Sequence, residues 1–362
     1  MTQNVPNKQL AVGRVWVDVL TPKQVLFFKP VVDLIKKKGG AVLATSRHYR
    51  EVEPLAKMHG FDLTYVGERG GKERDLQLKA SLERQQNLLP LVESFAPEVS
   101  VSVASADCAR ISFGLGIRHV AVNDSPHSVV AGKLSLPLSY HLLTPWIIPY
   151  SAWGVFGMTR RNITRYRALD PAAWLKRPHD GNLGLTLDKN RKTIVVRLEE
   201  SYAPYMRGTS ESWGDTVLGR LAEDFKDCNL VALCRYEDQL ESIKEKYGET
   251  FIIPDEVIDG TALLKVSDVF VGMGGTMSVE AALQGVPTIS AFQGDLYTER
   301  YLTSKGLLAR GRDAKTISRL VKRFLTKSYR PGFSRKAKKL LDWMEDPAQR
   351  VADFLMNIPA ED

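Results

Sequence analysis

Apolar and polar positions along this chain alternate in a regular order. A short apolar run is followed by a longer segment whose apolar residues return every three or four places, and the order then repeats. Val15 to Val19 is the first run, and Gln24 to Lys38 carries the helical spacing after it, closed by Gly39-Gly40. Ala41 to Thr45, Leu63 to Val66, Val99 to Val103 and His119 to Val122 are predicted strands. The segments Glu51 to His59, Lys72 to Ser94 and Ala106 to Leu115 between them are predicted helices. The alternation restarts with strands at Thr193 to Arg197, Leu230 to Cys234 and Phe251 to Ile253. Helices are expected at Ser212 to Phe225, Asp238 to Tyr247 and Thr261 to Val266. Strands alternating with helices through short loops predict α/β domains, each a doubly wound parallel sheet.

The pattern is sharpest from Val266 to Phe292, VSDVFVGMGGTMSVEAALQGVPTISAF. Val269-Phe270-Val271 reads as a buried strand ending at Gly272, and Thr288 to Phe292 as the next strand. Between them, Gly274 and Gly275 allow a sharp turn with no Cβ in the way of a ligand. Thr276 or Ser278 is the expected cap of the helix that follows, with Glu280 one turn inside and Gly285-Val286-Pro287 ending it. Unpaired N–H groups at such a helix start suit a phosphate. No Gly-Lys-Ser/Thr follows, so the turn is not a P-loop, and the spacing is not GxGxxG.

At 362 residues the chain has room for two domains. We divide it into residues 1–170, a linker at 171–190 rich in Pro, Gly and Asp, a second domain at 191–345, and a helical tail at 346–362. Two doubly wound, Rossmann-like domains facing across a cleft is the architecture expected. The three cysteines show no CxxC spacing and cannot all pair, which favours a reducing, cytoplasmic setting. The six histidines show neither HxH nor HExxH spacing, so no dedicated metal site is expected. Residues 1–14 lack the apolar centre of a signal peptide. Leu134 to Trp153, the most apolar segment, is broken by Pro137, Pro145 and Pro149 and does not read as a membrane span.

The net charge of +8 is local. Between Lys305 and Lys339 stand 13 Lys/Arg against one acid, Asp313, which leaves the rest of the chain at −4. Such a stretch is either a solvated helix face or a contact for an anionic membrane, and no RNA-binding motif points to nucleic acid.

Ligands of doubly wound sheets bind at the carboxyl ends of the strands. Four polar loops fall there: Asp18 to Lys23, Asn123-Asp124-Ser125-Pro126-His127, Arg197-Leu198-Glu199-Glu200, and the GGT turn with Gln293-Gly294-Asp295. On the first-domain side Asp18, Thr21, Lys23 and Asn123 are the polar candidates for contact with a ligand. Asp124 is the first candidate for a general base and His127 the second. Arg197, Gly274, Gly275, Thr276, Glu280, Gln293 and Asp295 are the candidates for holding a nucleotide diphosphate.

The runs VWVDVLTPKQVLFFKPVV, FGLGIRHVAVNDSPHS and VGMGGTMSVEAALQGVPTIS together resemble domain of unknown function 354, a mostly archaeal family. The resemblance extends from about Arg14 to Leu325. It implies a GT-B-like fold, beside nucleotide-sugar glycosyltransferases and the non-hydrolysing UDP-N-acetylglucosamine 2-epimerases. It implies further that Gly274, Gly275 and Thr276 face a donor pyrophosphate, that Glu280 faces the ribose, and that the first domain takes the acceptor. The chain departs from the epimerases in two places. Where they carry a TRPE-type loop it has Thr21-Pro22-Lys23-Gln24, and where they carry VEAG it has Val122-Asn123-Asp124-Ser125.

The expected activity is a metal-independent glycosyltransferase with a UDP-sugar as favoured donor and co-substrate, acting on a glycan or lipid-linked acceptor. A sugar-nucleotide epimerase or hydrolase, and a nucleotide-sugar-binding protein without catalysis, are the alternatives.

Overall fold

The computed structural model describes residues 13–71, 73–179, 181–199, 213–326 and 329–358. Its backbone forms two compact units. One takes the residues up to Ala173 and returns for those from Asp346 onward, and the other runs from Trp174 to Glu345.

The first unit is built on seven strands: β1 (Arg14–Val19), β2 (Ala41–His48), β3 (Thr64–Glu68), β4 (Val99–Ser102), β5 (Arg118–Val122), β6 (His141–Pro145) and β7 (Ile163–Tyr166). All pairings are parallel. The order is β3-β2-β1-β4-β5-β6-β7. Five of these strands follow the predicted runs. The other two, β6 and β7, were not anticipated. β6 lies inside the proline-interrupted apolar segment, where Pro145 ends the ladder and Pro149 starts the next turn. Helices cover both faces, so β1 is buried along its length after Arg14. Trp16 packs there with Leu88 and Val92 of the helix Arg74–Phe95.

The second unit holds β8 (Thr193–Arg197), β9 (Asn229–Leu233), β10 (Val269–Gly272), β11 (Thr288–Ser290) and β12 (Leu308–Arg310) in the order β12-β11-β10-β8-β9. The predicted strand at Phe251 to Ile253 is reduced to one parallel bridge, Val231 to Ile252. Pro254 has no N–H with which to carry the ladder further. With that bridge counted, both sheets follow one plan. The chain runs outward to one edge through its first strands, then crosses back to the middle and continues to the other edge. The crossing point falls between β1 and β4 in the first unit and between β8 and β10 in the second. A crevice forms at such a point, beyond the strands' carboxyl ends.

The last helix, Pro347–Met356, packs against the helix Pro22–Lys37 of the first unit. Lys38 pairs with Asp353, and His141 meets the Phe354 ring with centroids 4.6 Å apart. Among the described residues no helix is long and apolar enough to cross a membrane. Of the expected elements, Lys72, Glu200 and Ser212 lie outside the described residues.

Candidate functional site

In the second unit the crossing point carries the glycine turn. Gly274 and Gly275 have φ of 97° and 90°. Only glycine adopts that region without strain. Space adds a second restriction. A Cβ on Gly274 would lie 2.9 Å from the Phe292 ring, and one on Gly275 would lie 2.8 Å from Arg235 Nη2. The helix Thr276–Leu283 starts directly behind the turn, with Gly275 as its N-cap and no side chain bonded to the cap. Neither Thr276 nor Ser278 takes the expected capping role. Ser278 is buried, its Oγ close under Gly272. The opening N–H groups of this helix therefore meet no capping side chain, which is the arrangement an anionic ligand uses.

Two guanidinium groups sit at the neighbouring strand ends. Arg197, the last residue of β8, donates through Nη1 to the Cys234 carbonyl at 3.1 Å. Arg235, just past β9, donates to the Leu198 carbonyl at 3.1 Å and to the Gly274 carbonyl at 3.3 Å. Arg235 thus ties the loop after β8 to the glycine turn. The sequence reading missed it, although it directly follows a predicted strand. The buried Glu199 accepts from the Gly214 N–H at 3.1 Å and anchors the helix Trp213–Asp224.

Gln293 and Asp295 lie on the rim rather than at the crossing point. Both are exposed, and Arg310 at the end of β12 and Arg312 just past it hold their loop. Arg310 donates to the Phe292 carbonyl at 3.1 Å and Arg312 to the Gln293 carbonyl at 2.8 Å. Asp295 accepts from Arg300 at 2.7 Å, which holds its carboxyl below the usual range. Glu280 is buried and accepts from the Thr261 hydroxyl at 2.5 Å. Burial raises its pKa against that hydrogen bond, so its carboxylate is a guarded, interior group.

In the first unit Asp18 stands at the crossing point and is wholly engaged by protein. Its Oδ1 accepts from Thr45 Oγ1 at 2.8 Å and Arg84 Nη2 at 2.7 Å, and its Oδ2 from Ser105 Oγ at 2.6 Å. Arg84, 1% exposed, also binds Asp107 at 3.0 Å. Burial raises the Asp18 pKa, but Arg84 and the two hydroxyls outweigh it and hold the carboxylate ionised. The expectation that Asp18 contacts a ligand is therefore corrected: its oxygens are spent on the interior. Asn123 is likewise turned inward, its Oδ1 accepting the Ser125 N–H at 2.8 Å in a side-chain turn.

Lys23 and Asp124 do come together. Thr21 begins the helix Pro22–Lys37, and Lys23 in its first turn reaches Asp124 Oδ2 at 2.7 Å. It also reaches Asp170 Oδ2 at 2.7 Å. Asp170, which the sequence reading missed, accepts from Tyr166 at 2.6 Å. Burial lowers the Lys23 pKa and raises that of Asp124, but their pairing wins for both and each stays charged. Asp170 is the group left over. Burial, with Asp124 beside it, pushes its pKa up to about 6 against the pull of Lys23. His127 is exposed on the same loop, with its pKa lowered by partial burial against the nearby Asp124. Two carboxyls around one ammonium, their pKa values pushed in opposite directions, are a candidate acid–base pair. Among the described residues no cluster of three or more His, Cys, Asp or Glu is placed to hold a metal ion.

Comparison with known proteins bears on both units. The family model described as "Protein of unknown function (DUF354)" matches residues 13–358. An uncharacterized protein of Methanocaldococcus jannaschii is 28% identical over 315 residues, covering 84% of this chain and 89% of that one. Among solved structures, the UDP-GlcNAc 2-epimerase from Neisseria meningitidis bound to UDP-GlcNAc matches with a TM-score of 0.71 at 12% identity, covering 95% of this chain and 100% of that one. The spinosyn forosaminyltransferase SpnP matches with a TM-score of 0.60 at 13% identity, covering 95% and 99%. The chain thus has the GT-B fold that these enzymes share.

Proposed function

The chain belongs to the DUF354 family of proteins of unknown function, and from that footing we propose that it is a nucleotide-sugar enzyme that transfers a glycosyl group. The glycine turn carries this reading. It combines two left-handed glycines, a helix start without a side-chain cap, and Arg197 and Arg235 at the flanking strand ends. Negative charge develops on a diphosphate as the sugar bond breaks, and oriented N–H groups and guanidinium groups stabilise charge of that kind in place. The Neisseria relative in fold is described with UDP-GlcNAc bound, which supports a UDP-sugar as donor here. Asp124, kept ionised by Lys23, serves as base toward the acceptor hydroxyl, with His127 as the second candidate.

One observation favours a sugar-nucleotide epimerase as the second reading. Asp170, with a pKa of about 6, sits across Lys23 from the ionised Asp124, and isomerisation at a carbon centre needs both an acid and a base. Incubation with UDP-, GDP- and CDP-sugars separates the two. Nucleotide released only when an acceptor is added supports transfer. An isomerised sugar, or nucleotide released without acceptor, supports the second reading. Asp124→Asn is expected to lower turnover by about 10²–10⁴ with donor affinity kept. Full turnover in that variant excludes Asp124 as the base in either scheme.

A lipid-linked acceptor would bring the enzyme to a membrane surface. Among the described residues, ten of the cations between Lys305 and Lys339 are exposed, including Lys315, Arg319, Lys322 and Arg323 on the helix Ala314–Phe324. Each would add about 1 kcal/mol near an anionic leaflet, and screening by salt would remove most of it.

A further inference from the structure

A second concavity in the Trp174–Glu345 unit is lined by none of the glycine-turn residues. It measures about 310 Å³, the lower end of the range for small-molecule sites. The segment entering the unit at Trp174 forms one wall. The others come from the helices Gly260–Val266, Thr276–Leu283 and Tyr329–Trp343.

Its chemistry is one-sided. Arg177, Lys265 and Lys338 line it, and no carboxylate does among the described residues. Trp174, Leu283 and Leu341 supply an apolar side. Like charges drawn to one concave surface repel, and a bound anion turns that repulsion into attraction. Thr261, Gln284 and Ser334 are the uncharged polar residues of the lining.

The cationic wall is held in place before any ligand arrives. His179 Nε2 lies 2.7 Å from Asp259 Oδ2. Asp259 caps the helix Gly260–Val266 by accepting the Ala262 N–H at 3.0 Å. Lys265 closes the circuit by donating to the His179 carbonyl at 2.6 Å, which leaves two of its N–H groups for a ligand. Lys338 forms no ion pair among the described residues, and its helix also exposes Arg335, Lys336 and Lys339.

We propose that this cavity binds an organic phosphate, with the phosphate on Arg177, Lys265 and Lys338 and an apolar body against Trp174, Leu283 and Leu341. The phosphate comes either from a soluble metabolite or from the headgroup of a membrane lipid. The site is independent of the donor reading and stands or falls without it.

Titration calorimetry with n-butyl phosphate as probe tests the assignment, with n-butanol and inorganic phosphate as controls. Butyl phosphate is expected to bind better than inorganic phosphate, and butanol not at all. Lys265→Gln/Lys338→Gln should weaken binding by about tenfold or more through the loss of two charge-assisted contacts. The same variant titrated with UDP should keep wild-type affinity, so a lost donor site and a lost cavity site are told apart. Co-sedimentation with phosphatidic acid vesicles identifies the source. Pelleting that the double substitution abolishes assigns the lipid, and soluble binding without pelleting assigns the metabolite. No binding of either probe, unchanged affinity in the double variant, or competitive displacement of butyl phosphate by UDP overturns the proposal.

Discussion

Asp18 and Lys23 show what single residues disclose and what they withhold. Both were placed by sequence at a strand's carboxyl end, and both are there. Their partners were out of reach, because Arg84 follows Asp18 by 66 positions and Asp170 follows Lys23 by 147. Periodicity reports which face a side chain takes, never the distant residue it meets. Removing Arg84 would strand Asp18 in the interior, a change that typically costs about 3–5 kcal/mol. Asp170 makes a sharper prediction. Its folded pKa of about 6 lies above the unfolded value of about 3.9, so the folded state holds the proton more tightly. That contribution is full below about pH 4 and is lost as the pH rises through about 6. Asp170→Asn cannot titrate. Its melting temperature relative to wild type should therefore climb between pH 4 and pH 7, as calorimetry would record. A difference that stays constant over that range would show that Asp170 titrates normally.

Elements were legible where one signal dominated. The run from Val266 to Phe292 gave strand, turn, helix and strand, because glycines, a proline and an apolar run fall in one consistent order. The cap was misjudged. Thr276 and Ser278 are good capping residues by type, yet the left-handed Gly275 takes that place and Ser278 packs inward. Strands β6 and β7 were hidden for another reason. A short buried strand beside prolines has neither the length nor the alternation that reveals a strand in isolation. The turn itself is open to test. Gly275→Val puts a β-branched residue at φ 90° and against Arg235. UDP affinity should fall about tenfold or more, with a stability loss of roughly 1–3 kcal/mol. Unchanged affinity in a folded variant would remove the turn from the donor site.

At the scale of the molecule, two sheets with one strand plan explain why polar loops clustered in sequence at strand ends. Each crossing point gathers the loops that leave its central strands, so alternation alone located the strand ends at Arg197 and Gly272. The closing helix was harder to place. It follows the second unit in sequence yet packs with the first, and its buried Val351, Leu355 and Met356 look like any amphipathic pattern. The basic stretch was legible as charge and not as structure. Arg310 and Arg312 from it brace the loop at Gln293, while most of the others are exposed on two helices. In the proposed function the second unit holds a nucleotide diphosphate at the glycine turn. A crystal structure of the protein soaked with a UDP-sugar tests it most directly. Diphosphate oxygens are expected within hydrogen-bonding distance of the N–H groups at Gly275 and Thr276, with Arg197 or Arg235 turned toward them. Nucleotide bound elsewhere, or a glycine turn left empty at saturating ligand, would contradict it.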